Sequence, residues 1–398
     1  MDRHPEDQAV GWAGAHPTLE LPVAGGGLEP YRLRGPRSFT RPSKPFTRIA
    51  LAAAHVVADP LSAREPWLEP AIDWDATLAY RRHLWSWGLG LAEAMDTAQR
   101  GMGLDWTNSL ELIGRTLDAA KDVKGAVVFS GAGTDHVAQA DVAGVIAAYE
   151  EQCAAIEQLG GRIILMASRA LAASARSPQD YGKVYDRILG QVREPVIIHW
   201  LGEMFDPALE GYWGAKDHYG AMDVCADVIR RNAAKVDGIK ISLLDKDKEI
   251  ALRRRLPKGV RMYTGDDFNY AELIEGDAEG HSDALLGIFD AIAPAASAAL
   301  SALAAGDRAT YHDIFAPTVP LSRHIFRAPT RFYKTGVVFM AWLNGHQEHF
   351  VMVGGQQSAR PILHLAELFR LADAAGLLAD PPRACARMKQ LLAVHGCA

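Results

Sequence analysis

The chain has 398 residues, 49% of them hydrophobic, with 42 basic and 48 acidic side chains and a formal net charge of −6. That length and apolar fraction allow a large buried core. No basic block points to nucleic acid, no acidic tail to a disordered arm, and no apolar run approaches the ~20 residues that span a bilayer, so neither nucleic acid nor a membrane is expected as a partner.

The cysteines, Cys153, Cys225, Cys385 and Cys397, lie far apart without metal-ligand spacing. This is the usage of a reduced, cytoplasmic protein. The first residues include Asp2, Arg3, Glu6 and Asp7 and no apolar stretch, so no secretory signal is expected. Residues 1–45 are rich in glycine and proline and read as an irregular N-terminal arm. Residues 46–294 then alternate between short apolar runs and helical periodicity. Strand-type runs fall at 48–54, 89–95, 125–130, 162–167, 195–200, 236–242, 261–264 and 283–289. Between them, Asp73 caps a helical pattern to Trp87, and further helical stretches cover 110–120, 137–159, 181–192 and 222–234. Such alternation makes a parallel sheet, and eight repeats over this length fit a closed (β/α)8 TIM barrel of the α/β class. An open doubly wound sheet would place a glycine-rich phosphate turn after its first strand. Ala53-Ala54-His55-Val56 cannot serve that way, and Gly131-Ala132-Gly133 lacks the third glycine. Beyond Pro294 the pattern is helical (295–305, 307–315, 330–343, 361–376), so residues 295–398 read as a C-terminal helical region packed on the barrel.

The most informative run is Val236-Asp237-Gly238-Ile239-Lys240-Ile241-Ser242. Most strand lysines keep their head in water. A lysine pointing into a closed barrel loses that water, and desolvation lowers its pKa from ~10.4 towards a neutral, nucleophilic amine. Such an amine attacks carbonyls and forms Schiff bases. Active sites of these barrels lie at the C-terminal strand ends. His55, Asp96, Thr97, Asp135, His136, Arg169, His199, Glu203, Lys240, Asp266 and Asp267 all fall at or just past such ends. His199 suits proton transfer near neutral pH. Arg100 and Arg169 can grip a carboxylate or phosphate. Asp266 and Asp267 can bind hydroxyls or orient the lysine, while Asp135 and His136 follow a glycine-rich turn and double as helix-cap candidates. Trp200, Phe205, Tyr212 and Trp213 are either core or a stacking surface for a sugar ring.

Gly238-Ile239-Lys240, followed by Gly265-Asp266-Asp267 after the next strand and by a helical tail, resembles the dihydrodipicolinate synthase / N-acetylneuraminate lyase superfamily of class I aldolases. The segment Pro329-Thr330-Arg331-Phe332-Tyr333-Lys334 through Trp342-Leu343-Asn344-Gly345 is similar to that family's Asn-Pro-x-Pro-x-Lys tail. The resemblance spans residues 46–380 and implies a Schiff-base lysine at Lys240, no cofactor, and a homo-oligomer, tetramer or dimer. The chain also departs from the family. Where the family has a proton-shuttling tyrosine at the end of the fifth strand, this chain has Ile198-His199-Trp200. Of the carboxylate-gripping Gly-Thr-Thr-Gly-Glu loop only Thr97 survives, within Met95-Asp96-Thr97-Ala98-Gln99-Arg100, and the fourth-strand Tyr-Tyr pair is replaced near Ser168-Arg169-Ala170. These departures point away from lysine biosynthesis and towards another carbonyl substrate.

The expected activity is a Schiff-base-forming lyase, cleaving or dehydrating a sugar-derived keto acid or keto sugar. Lys240 and His199 are its catalytic pair. Asp96, Thr97, Arg100, Asp135, His136, Arg169, Glu203, Asp266 and Asp267 are its substrate-binding set. Two alternatives stand beside it. One is a metal-dependent sugar isomerase, epimerase or aldolase on the same barrel, with His55, Glu203, His281 and Asp283 as donors. The other is a non-catalytic barrel that senses a sugar or sugar acid.

Overall fold

The computed structural model describes residues 16–397. Eight parallel strands close into a barrel: β3 (Ala50–Ala53), β4 (Gly90–Glu93), β5 (Val128–Ala132), β6 (Arg162–Leu165), β7 (Val196–Leu201), β8 (Val236–Ser242), β9 (Arg261–Thr264) and β10 (Asp283–Leu286), which pairs back onto β3. Each expected strand run overlaps one of them, with β5 and β7 extending one or two residues further. Helices between the strands cover the outside. The first, Trp74–Ser86, is capped by Asp73, whose side chain accepts from the Ala76 N–H. The helix expected from residue 137 starts later, at Val142, because Asp141 is its cap. Asp135 and His136 therefore cap nothing.

The barrel interior is packed rather than open. Leu51, Ala53, Ala92, Phe129, Ile164, Ile197, Tyr263 and Leu285 form an apolar plug below the strand ends. A second, larger core lies between the strands and the helices. Alternation along each strand sends Ile197, His199 and Leu201 of β7, and Gly238, Lys240 and Ser242 of β8, to one face.

The N-terminal segment expected to be irregular is a β-hairpin over part of its length, β1 (Thr18–Pro22) with β2 (Leu28–Arg32). Residues 1–15 of that arm lie outside the described residues. The hairpin is tied to the far end of the chain. Tyr31 Oη donates to Asp373 Oδ2 (2.7 Å), and the Arg34 N–H donates to the same carboxylate (3.0 Å). Among the described residues no helix is long and apolar enough to cross a membrane.

One buried carboxyl carries a pH signature. Glu249, on the helix Lys246–Arg253, accepts from Ser282 Oγ (2.7 Å) and Thr264 Oγ1 (2.9 Å). Burial pushes its pKa up to about 8, helped by the charge of Asp266 and opposed by those two hydroxyls. In the unfolded chain the group titrates near its ordinary value of 4.5. Between these values the folded chain holds a proton that the unfolded chain has released, so stability falls as pH rises through that window. Glu249→Gln stays neutral and is expected to flatten the fall. Urea midpoints at about pH 5 and about pH 8 read it, and an equal drop in both proteins would reject it.

Candidate active site

Lys240 sits at the C-terminal end of β8, beside His199 of β7 in the strand register. Its side chain lies over Gly265. A Cβ at that position would stand 2.8 Å from Lys240 Cε and 2.6 Å from the Ile241 carbonyl, so glycine is required for the lysine to pass. Lys240 is 8% exposed, and among the described residues no hydrogen bond to its ammonium is formed. Burial lowers its pKa, opposed by the charges of Asp267 and Asp96.

Asp267 follows the same inward parity as Tyr263 and Gly265. It accepts from the Ile288 N–H (2.9 Å), which ties it to the end of β10. Burial pushes its carboxyl up to about 7, against the lowering effect of that N–H and of Lys240. Both shifts favour the uncharged forms, the amine of Lys240 and the carboxyl of Asp267. Asp266 faces the other way. Its oxygens accept from the N–H groups of Phe268 (2.8 Å) and Asn269 (3.0 Å) and from Asn269 Nδ2 (2.8 Å). It fixes the turn that aims Asp267, and is not available to a substrate.

The loop after β4 brings in two more expected residues. Glu93 Oε1 accepts from the N–H of Ala94, which has a left-handed backbone (φ 52°), and the chain then turns into Met95-Asp96-Thr97. Thr97 is buried, with Oγ1 2.8 Å from the hydroxyl of Tyr333. The Asp96 carboxylate makes no hydrogen bond among the described residues and lines both cavities described below. Gln99 docks the loop on the C-terminal region through Nε2 to the Val353 carbonyl (2.7 Å).

Two adjoining cavities open over these strand ends. One, of about 170 Å³, runs past Asp96, Thr134, Met166, Arg169, His199 and Leu201. The other, of about 390 Å³, is walled by Phe205, Asp206, Arg331, Tyr333 and Lys334 and shares Asp96, Arg169 and Leu201 with the first. Arg169 holds Asp206 through Nε.

His199 is fully buried, although it forms part of the wall of the smaller cavity. Nε2 faces Ser242 Oγ at 3.3 Å, and Nδ1 is buried without a partner. Burial, with the Lys240 charge, holds its pKa well below the usual histidine range, so it is a neutral imidazole.

Four expected substrate ligands lie elsewhere or are occupied. Arg100 is a brace. Nε and Nη2 hold Asp135, Nη2 also reaches Gln152 (2.9 Å), and Nη1 donates to the carbonyls of Ala94 (3.2 Å) and Gly131 (2.8 Å). It joins β4 to β5 and has no N–H left for a ligand. Burial alone would raise the Asp135 pKa, but the charge and hydrogen bonds of Arg100 outweigh it and hold the carboxyl below its ordinary value. His136 accepts from Gln152 Nε2 (2.7 Å) outside the cavity wall. Glu203 pairs with His218 at 3.2 Å in a separate surface pocket. Trp200, Tyr212 and Trp213 are buried core, with Trp213 stacked on Tyr185 at 4.7 Å. Only Phe205 of that aromatic group reaches the mouth.

The four donors of the metal alternative do not converge. His55 bonds Asp290 at 2.9 Å past β3, Glu203 is on the outer pocket, and His281 and Asp283 stand at the opposite, N-terminal end of β10. Among the described residues no three His, Cys, Asp or Glu side chains gather at ligand spacing.

Sequence reasoning misses Tyr333 and Lys334. Both open a helix (Tyr333–Leu343) whose residues beyond Thr335 are all apolar and buried, and that polar start is the signal that could have found them. Tyr333 stacks on Phe326 at 4.4 Å, and burial, with the charges of Asp96 and Asp267, raises its pKa well above the ordinary phenol value.

No curated protein matches the sequence. Solved structures share its fold. The prophage protein YagE of Escherichia coli K12, of the dihydrodipicolinic acid synthase family and solved with pyruvate, superposes with a TM-score of 0.62 at 14% identity, over 88% of this chain and 99% of its own. Dihydrodipicolinate synthase of Acinetobacter baumannii, also complexed with pyruvate, gives 0.59 at 17% identity, over 83% and 99%. The Aquifex aeolicus enzyme gives 0.59 at 12%, over 88% and 98%. At these identities the likeness is one of fold, the barrel with its helical tail. The sequence itself matches a family model over residues 19–397, and the chain belongs to that family, DUF993, described as protein of unknown function.

Proposed function

We propose that the protein is a Schiff-base-forming lyase that cleaves or dehydrates a ketone-bearing, sugar-derived substrate. The observation that carries this reading is Lys240: a buried amine without a hydrogen bond, of lowered pKa, under the charge of a carboxyl raised to about 7 and next in strand register to His199 in the wall of the smaller cavity. The neutral amine adds to the ketone carbon. The carbinolamine loses water, and the iminium draws in the electron pair of the adjacent bond as it breaks. The resulting enamine takes up a proton, and hydrolysis returns the amine and the ketone product. Asp267 exchanges protons with the Lys240 nitrogen.

The proton transfer expected of His199 passes to Tyr333 and Thr97 in this reading, because both His199 nitrogens are enclosed whereas the Tyr333 phenol lines the cavity. His199 becomes a positioning residue that keeps the surroundings of Lys240 dry. The phenol absent from the fifth strand is thereby supplied from the C-terminal region.

Borohydride reduction in the presence of 2-keto acids, keto sugars and 2-keto-3-deoxy sugar acids tests the reading. A reduced adduct on the Lys240 peptide is expected, and its absence with every ketone would overturn it. Ligand-induced stabilisation without an adduct would instead favour the sensing barrel. With a trapped substrate in hand, Tyr333→Phe should keep the adduct and lower turnover about 100-fold, and Thr97→Val about tenfold. Unchanged kcat in Tyr333→Phe would remove the phenol from the mechanism.

A further inference from the structure

The larger cavity holds a cation that no carboxylate among the described residues pairs with directly. Lys334 is 4% exposed, and its Nζ donates to the Arg331 carbonyl (3.0 Å) and contacts Met102 Sδ (3.3 Å). Among the described residues no Asp or Glu comes within ion-pair distance of it. A buried ammonium with neutral partners only is a costly arrangement. Two further cations face the same space. The Arg331 guanidinium, exposed at the mouth, has no ion pair or hydrogen bond among the described residues and lies over the Phe332 ring at 4.9 Å. Among the described residues Arg169 engages Asp206 through Nε alone, and its terminal amines, which lie against Gly101, form no hydrogen bond. Of the two carboxylates in that wall, Asp206 is taken by Arg169, and Asp96 lies between the two cavities and also acts on Lys240.

We propose that Lys334, with Arg331 and the terminal amines of Arg169, binds an anionic group, phosphate or carboxylate, at the end of the substrate far from its ketone. The inference rests on the Lys240 reading for what occupies the other end. The cavities share Asp96, Arg169 and Leu201, and the smaller one extends to His199, the register neighbour of Lys240, so an extended molecule anchored at Lys334 would run towards Lys240. Burial holds Lys334 down to about 8, opposed by the charge of Asp96. An arriving anion restores its full charge, and specificity for substrates with a charged tail follows from the same step.

The test measures binding on the full chain by calorimetry, which needs no covalent step, with two matched pairs of ketones. Dihydroxyacetone phosphate against dihydroxyacetone reads phosphate, and 2-oxoglutarate against 2-oxobutyrate reads carboxylate. The member carrying the added distal anion in at least one pair should bind about tenfold or more tightly, and that preference should vanish in Lys334→Met. The pair showing it names the anion. No preference in either pair, or an undiminished one in Lys334→Met, overturns the proposal. Arg331→Ala, at an exposed side chain, repeats the test should Lys334→Met fail to fold: a weakened preference is expected, and an unchanged one overturns it. Borohydride trapping is read separately. A charged-ketone preference with no adduct on Lys240 would keep the anion site and remove the imine reading.

Discussion

Lys240→Met should abolish the borohydride-trapped adduct and lower turnover about a thousandfold or more, while leaving the protein as stable as before or more so. The two effects have one cause. The ammonium is buried without a hydrogen bond, so the folded state holds it at a cost that a well-packed thioether does not carry. Asp267 tolerates the loss, because burial already pushes its carboxyl up to about 7 and it keeps the Ile288 N–H. Lys240→Arg separates charge from nucleophilicity: it keeps the cation and loses the adduct. In the wild type the neutral amine fraction grows with pH, so the trapping rate should climb and level off below the ordinary lysine value of 10.5, since burial lowers this pKa. A rate still rising at that value would show an ordinary, solvated lysine. A stable adduct in Lys240→Met would place the chemistry elsewhere, with Lys334 the next amine to map.

The barrel is legible in the sequence because each strand is an apolar run and the helices between them carry clear periodicity. Lys240 is legible for the same reason, as one charge inside such a run. The sequence offers Asp266 and Asp267 as equals. The strand parity that sends Tyr263 and Gly265 inward also selects Asp267, and leaves Asp266 to hold the turn. Arg100 looks like a ligand until its five N–H groups are followed to Asp135, Gln152 and two carbonyls. Tyr333 escapes because it meets Thr97 across 236 residues, and no local pattern reports such a contact. The N-terminal hairpin escapes because Gly25-Gly26-Gly27 and the flanking prolines suggest loop, whereas the glycines are its turn and Thr18–Pro22 alternates in burial.

Arg81→Met should cost about 3–5 kcal/mol of unfolding free energy, among the largest losses from a single change outside the cavities. Arg81 and Glu93 are both fully buried and joined by two parallel bonds of 2.9 Å, Nε to Oε2 and Nη2 to Oε1. Arg81 also donates to the His55 and Thr77 carbonyls, and Glu93 accepts from Thr116 Oγ1 (2.8 Å) and the Ala94 N–H (2.9 Å). Removing the guanidinium leaves a carboxylate in the core with two neutral donors. Glu93→Gln added to Arg81→Met discharges it, so the double variant should be more stable than Arg81→Met alone, and the shortfall from additivity measures the pair. Urea unfolding with an unchanged slope reads the difference, and strictly additive losses would show that the two charges do not act together. The pair also reaches the active site. Glu93 holds the N–H of the left-handed Ala94, from which the chain turns into Asp96 and Thr97. Arg81→Met that is still folded should therefore trap ketone on Lys240 more slowly than the wild type, although Arg81 lines neither cavity. An unchanged trapping rate would confine the pair to stability, with the loop held by its other contacts, Arg100 to the Ala94 carbonyl, Thr97 to Tyr333 and Gln99 to Val353.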